Sequence, residues 1–135
     1  MSQENVEVVR RAWAAFNEGD REGWGRLIAD DAVIEPPRER MTSGPATYHG
    51  PEGWLEYQAE IEEMLEHVTY EPEEVFEAPS GTLLAHVRVR GSGRDSGAPA
   101  DQTAAHVYEV REGQIIRLTV YMDRDEARDA VGLRE

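Results

Sequence analysis

The apolar residues of this chain change their spacing once, and that change narrows its possible folds more than any other feature. Before about position 68 they recur at three- and four-residue steps, the period of a helix face; after it they alternate with polar residues, the period of a strand. In the first part Val6, Val9, Trp13 and Phe16, joined by Ala12, predict a helix from about Gln3 to Glu18 that Gly19 closes in a left-handed cap. Asp20 is placed to accept from the free N–H groups of a second, short helix whose apolar face is Trp24, Leu27 and Ile28, with Asp30 and Asp31 ending it. Ala32 to Glu35 is a short β-type run halted by Pro36 and Pro37, and a polar loop from Arg38 to His49 follows. Gly50-Pro51-Glu52 starts a third helix, reaching about His67, along which Trp54, Gln58, Ile61, Leu65 and Val68 track one face.

The alternating part predicts four strands, at about Thr69 to Glu77, Thr82 to Arg90, Asp101 to Val110 and Gln114 to Met122, with the glycine-rich stretch Gly91 to Pro99 as a hairpin loop. Asp123 to Glu126 reads as a capping box opening a last short helix. Strands that follow one another without helices between them make an antiparallel sheet, so three helices followed by such strands give an α+β domain whose curved sheet wraps the helices. At 135 residues and 39% hydrophobic content the chain supports one core, and residues 1–135 read as one domain.

Composition removes several functions. Fourteen basic against twenty-eight acidic residues leave a net charge of −14, which repels phosphate backbones and anionic lipid headgroups, so neither nucleic acid nor membrane is an expected partner. The densest acidic run, Glu60 to Glu77, is interleaved with Ile61, Met64, Leu65, Val68 and Val75 and reads as the solvated face of ordered elements. With no cysteine there is no thiolate nucleophile, disulfide or cysteine-ligated metal within the chain. The start MSQENVEVVRR lacks the apolar block of a signal peptide, and no apolar run approaches eighteen residues, so a cytoplasmic location is expected. HExxH, Walker-type and GxSxG patterns are missing, and neither metal nor cofactor is expected.

A particular order of motifs then stands out: helix, Glu18-Gly19-Asp20, helix, Ala29-Asp30-Asp31-Ala32-Val33, short strand, Tyr48-His49-Gly50-Pro51-Glu52-Gly53, helix, and strands carrying Gly93-Arg94-Asp95-Ser96-Gly97, Arg111-Glu112-Gly113-Gln114-Ile115 and Tyr121-Met122-Asp123-Arg124-Asp125-Glu126-Ala127. Over nearly the whole chain this order resembles the SnoaL-like, polyketide-cyclase-like proteins of the nuclear transport factor 2-like superfamily. The resemblance implies a cone-shaped α+β barrel, a cavity between helices and concave sheet for a small apolar or amphipathic ligand, and a homodimer. It implies no single reaction, because folds of this kind carry cyclases, isomerases, hydrolases and plain binding modules.

The hairpin at Arg111-Glu112-Gly113 decides which side chains face such a cavity. Read as a three-residue loop with Gly113 left-handed, it pairs Val110 with Gln114, Tyr108 with Ile116, His106 with Leu118, Ala104 with Val120 and Gln102 with Met122, all on the apolar face. Read as a two-residue turn it shifts the pairing by one and joins His106 and Tyr108 to Arg117, Thr119 and Tyr121 on the opposite face. In SnoaL-like cyclases and ketosteroid isomerases a cavity-facing aspartate stands on the penultimate strand, and its position resembles His106. On the functional reading His106 is a general acid or base with Tyr108 orienting an oxygen; on the structural one it is a satisfied neutral histidine lining the wall.

The same resemblance puts Pro36 where the isomerases have their base and Ala12 where they have a first-helix tyrosine, so two groups of that chemistry are missing. Trp13, Trp24 and Trp54 read as core residues whose indole N–H groups can serve a polar ligand; with Leu118, Val120 and Met122 they are the expected ligand contacts. Glu35 is expected to point outward by strand alternation. His86, with Arg88 and Arg90, is expected in a solvent- or dimer-facing row, and Asp123 at a helix cap. Tyr48 and His49 fall in the entrance region, where they either line a cavity mouth or have no role in the site.

Overall fold

The computed structural model describes residues 2–37 and 45–132; positions 38–44 of the predicted loop lie outside the described residues. In chain order the elements are α1 (Ser2–Asn17), α2 (Arg21–Arg26), β1 (Ile28–Glu35), β2 (Tyr48–His49), α3 (Gly50–Glu62), β3 (Leu65–Glu77), β4 (Leu83–Gly93), β5 (Pro99–Arg111), β6 (Gln114–Tyr121) and α4 (Arg124–Ala130). One curved six-stranded sheet runs in the order β2-β1-β6-β5-β4-β3. As the sequence order implies, β1 falls between α2 and α3, so the three helices do not form one N-terminal block; the sheet is open and not a closed barrel, with β2 and β3 at its edges. Nor is it wholly antiparallel: β1 runs parallel to β6, which is possible because α3 and four strands separate them in sequence.

Three local expectations are corrected by pairing. Ile28 and Ala29 belong to β1 rather than α2, since Ile28 lies against Ile115 and the Ile115 N–H donates to the Leu27 carbonyl at 2.8 Å. Asp30 and Asp31 then sit in an irregular, exposed part of β1. The third helix stops at Glu62, five residues early: its last turn has no basic residue to balance the negative end of the helix dipole, and Leu65 and Glu66 pair instead with Gly93 and Ser92. The Arg94 side chain caps that end, its Nε donating to the Glu62 carbonyl at 2.6 Å. At the other end Gly50 has φ +72°, and a Cβ there would lie 2.4 Å from the Asp30 carbonyl oxygen, so only glycine lets α3 start so close to β1.

Helices α1, α2 and α3 bury Val9, Ala12, Trp13, Phe16, Trp24, Trp54 and Tyr57 against Ile34, Tyr70, Ala85, Val87, Tyr108, Leu118 and Val120 of the concave face. At its centre Trp13, Phe16, Trp54 and Tyr70 interlock with ring centroids 4.9–6.3 Å apart, mostly edge to face, each pair contributing roughly 0.5–1.5 kcal/mol beyond its buried area. On the convex face α4 places Ala127 over Leu84 and Ala105, with Asp123 as its N-cap accepting from the Asp125 and Glu126 N–H groups.

The edge of β3 is closed by α1. The Asn17 side chain donates to the Tyr70 carbonyl at 2.7 Å and accepts from the Tyr70 N–H at 3.0 Å, doing for that peptide what a neighbouring strand would do. Arg10 reaches the Pro72 carbonyl at 3.2 Å on the same edge. Asn17→Ala leaves both Tyr70 groups to partial hydration and is expected to lower stability by about 1–2 kcal/mol. The reading is a lower urea midpoint with unchanged m; an unchanged midpoint would show that water replaces the amide without cost.

Candidate functional site

The hairpin between β5 and β6 aims the site. Its turn has two residues, Glu112 and Gly113, both at positive φ (53° and 80°), and Arg111 pairs with Gln114. A two-residue turn followed by regular pairing would turn His106 to the outer face. Instead the register slips once: Val110 pairs with Ile115 but Glu109 pairs with Arg117, so Ile116 is an extra residue on β6. Beyond this bulge Tyr108 lies opposite Leu118 and His106 opposite Val120. These partners are two residues away from the expected Ile116 and Leu118, and an even shift preserves the face.

Both side chains therefore point to the concave side, and both are closed off from bulk solvent, with exposures of 1% for His106 and 0% for Tyr108. The Trp13 indole N–H donates to the Tyr108 oxygen at 2.6 Å, and that oxygen lies 2.8 Å from His106 Nδ1. The imidazole lines a cavity of about 450 Å³, whose deeper walls are Ala104, Val120, Trp54, Tyr57 and Ile61. Met64 and Met122, 37% and 39% exposed, flank its mouth with Arg90 and Gln102, both exposed.

Electrostatically the site is neutral. Burial lowers the His106 pKa from 6.5 to about 3, so the ring is uncharged at neutral pH, with one nitrogen bearing a hydrogen and the other accepting. Burial raises Tyr108 above its ordinary value, with the Trp13 hydrogen bond pulling slightly the other way, so the phenol stays protonated. Tyr70, whose ring centroid is 6.4 Å from that of His106, is also raised, first by burial and then by Tyr57; its hydroxyl donates to the Gln58 side-chain oxygen.

Of the residues singled out from sequence, His106, Trp54, Val120 and Met122 line the cavity. Tyr108, Trp13, Trp24 and Leu118 stand behind it in the core, Tyr108 backing His106 and Trp13 packing on both His106 and Trp54. The indole N–H groups of Trp24 and Trp54 are buried with no acceptor among the described residues. Glu35 points outward, accepting from Thr119 Oγ1 at 2.8 Å and pairing with Arg117 at 3.2 Å. His86 is also outside but is not a solvated row member: 6% exposed, it sits beside Phe76 with Nδ1 3.2 Å from Glu74, while Arg88 and Arg90 pair with neighbouring acids. Tyr48 is not at the mouth either; it is buried against Tyr57 and donates to Glu60, whereas His49 is exposed at the start of α3. Tyr57 was the lining residue most open to sequence reading, being three residues from Trp54 on the same helix face. Leu65 was read on the same face as Trp54 but within α3, whereas it opens β3; Met64, in the turn between them, had no signal in the helical spacing.

A SnoaL-like domain profile matches residues 9–118. The chain belongs to the SnoaL-like family. Solved structures of the same fold surround it. TerC, co-crystallised with polyporic acid, is 20% identical, with a TM-score of 0.76 over 96% of this chain and 98% of its own. IdmH of Streptomyces antibioticus, a proposed polyketide cyclase, is 24% identical, with a TM-score of 0.73 over 94% and 97%. RV0760c of Mycobacterium tuberculosis, solved with estradiol-17β-hemisuccinate, is 24% identical, with a TM-score of 0.72 over 90% and 95%. At these identities the shared property is the fold. Among curated proteins none matches the chain. In this SnoaL-like domain no described helix is long and apolar enough to cross a membrane, and no three His, Asp or Glu side chains among the described residues converge as metal ligands.

The buried imidazole has a thermodynamic signature. Its folded pKa lies below its unfolded value, so between pH 6.5 and about 3 the unfolded chain binds more protons; stability tied to neutral His106 is complete above pH 6.5 and is lost as pH falls through that window. Relative to the non-titrating His106→Gln, the wild type is expected to lose about 2 kcal/mol between pH 7 and pH 5. Urea unfolding of both proteins at each pH measures it, and parallel profiles would show that the ring is not held neutral.

Proposed function

We propose that this SnoaL-like domain holds a small, largely apolar molecule, without a cofactor, in the cavity between α3 and the concave sheet, and that His106, backed by Tyr108, meets the ligand's polar group. The observation that supports this most directly is an imidazole, hydrogen-bonded from behind by a phenol, in a mostly apolar and aromatic wall that opens on a space of ligand size. Such a wall offers little to a charged or strongly hydrated compound and, at His106, a directional contact to an oxygen function. The small molecules crystallised with TerC and RV0760c support the same use of the fold. In its catalytic form the reading makes His106 and Tyr108 the groups that handle proton or oxygen chemistry in a cyclisation, isomerisation or hydrolysis. A non-catalytic binding module is the second reading, favoured by Pro36 and Ala12 at the two positions resembling the isomerase base and tyrosine, and by a histidine too weakly basic to cycle protons readily near pH 7. A homodimer through the outer sheet face that carries Arg117, Thr119 and Tyr121 belongs to both readings.

Mass spectrometry of compounds released from the purified protein is expected to find a retained small molecule in the wild type and much less in a folded His106→Ala variant. Incubation of that compound with fresh protein separates the two forms: conversion lost in His106→Ala identifies an enzyme, and recovery unchanged identifies a binder. Equal retention by both proteins would remove His106 from the site.

A further inference from the structure

We infer that Trp13 and Tyr108 lock His106 in one neutral tautomer, with its proton on Nε2, and that the cavity is thereby selective for ligands carrying an acceptor-only oxygen such as a ketone, quinone or lactone carbonyl. This rests on the proposal that the cavity holds a small molecule at His106. The argument starts at the Tyr108 oxygen. An indole N–H can only donate, so the 2.6 Å contact from Trp13 uses the accepting side of the phenol. The phenol's own proton must then find an acceptor, and Tyr108 is wholly buried, with His106 Nδ1 at 2.8 Å as its acceptor among the described residues. The proton therefore points to Nδ1.

The opposite tautomer would set two N–H donors on one phenol oxygen and strand the hydroxyl proton in a dry site, an unsatisfied buried donor that folded proteins avoid. With Nδ1 accepting and the ring neutral, the remaining N–H is on Nε2 of a residue that lines the cavity. At His106 the wall thus offers a donor and no acceptor: around it are Ala104, Val120, Trp54, Tyr57 and Ile61, of which the Tyr57 phenol and the Trp54 indole are the polar-tipped members, while Gln102 and Arg90 lie out at the exposed mouth. A carbonyl oxygen is satisfied by that single donor. An alcohol accepts equally well but finds no acceptor for its own proton on the His106 ring, and a carboxylate or ammonium loses hydration that one neutral donor does not replace. Trp13 and Tyr108 act here as positioning residues, because neither reaches the ligand.

Two measurements on the intact protein test this. Long-range ¹H–¹⁵N spectra of the wild type are expected to show His106 with a protonated Nε2 and an unprotonated Nδ1, unchanged from pH 6 to 8, and Tyr108→Phe is expected to give averaged nitrogens. A wild-type ring protonated at Nδ1, or averaged between tautomers, overturns the lock whether or not Tyr108→Phe folds. For selectivity the probes are diphenylmethane, benzophenone and benzhydrol, which share two rings and differ only at the central carbon. Benzophenone is expected to bind about tenfold tighter than diphenylmethane, as one added hydrogen bond allows, with benzhydrol near the hydrocarbon, and His106→Leu is expected to erase the preference. Hydrocarbon and ketone binding equally well overturns the donor role while leaving the cavity intact. Failure of all three probes to bind removes the cavity reading and this inference with it.

Discussion

One surplus residue in β6 sets where the chemistry of this molecule faces. The tight turn at Glu112-Gly113 and regular pairing together would oppose the apolar residues of β5 to Arg117, Thr119 and Tyr121, burying charge and exposing Leu118 and Val120. The bulge at Ile116 resolves that conflict by shifting one strand a single step, which turns every later residue of β6 to the other face. The concave core, the Trp13–Tyr108–His106 chain and the position of the imidazole on the cavity wall all follow from that step. Bulges concentrate beside functional sites because they re-aim side chains at little cost, and this one turns a hairpin into an aiming device.

The polar chain it creates lies among tightly packed aromatic rings. A buried hydroxyl, imidazole and indole would each be costly alone; linked in sequence, each supplies what the next lacks, and the group left over faces the cavity. The rings around it make the arrangement rigid, since Trp13 is held by Phe16, Trp54 and Tyr70 at once. The strongly acidic exterior is remote from this interior. Charge governs which large partners approach the molecule, while desolvation governs the protonation of the site, and burial alone accounts for the depressed His106 pKa.

Membership in the SnoaL-like family and the neighbouring structures settle architecture more than activity. A curved sheet against helices makes a hollow that many lineages can furnish differently, so the discriminating information lies in a few inward positions of β5 and β6 and one face of α3. Here those positions hold His106 among mostly apolar and aromatic side chains, Trp54 and Tyr57 of α3 included.

Periodicity alone determined the broad plan: helical spacing through Phe16 and Ile61, alternation through the later strands, and caps at Asp20 and Asp123 are local properties, because a residue's neighbours along the chain decide which face it shares. It also brought His106 and Tyr108 to one face of one strand. The end of α3, the strand character of Ile28, the parallel joining of β1 to β6, the burial of Tyr48 and the retreat of Trp13 and Tyr108 behind the cavity wall were decided only in three dimensions. Each depends on a hydrogen bond or packing contact with residues tens of positions away, which no local spacing encodes. The face of β5 was legible for a partly fortuitous reason: the turn was one residue shorter than read and the opposing strand carried one residue more, and two single steps preserve the parity that decides inside from outside.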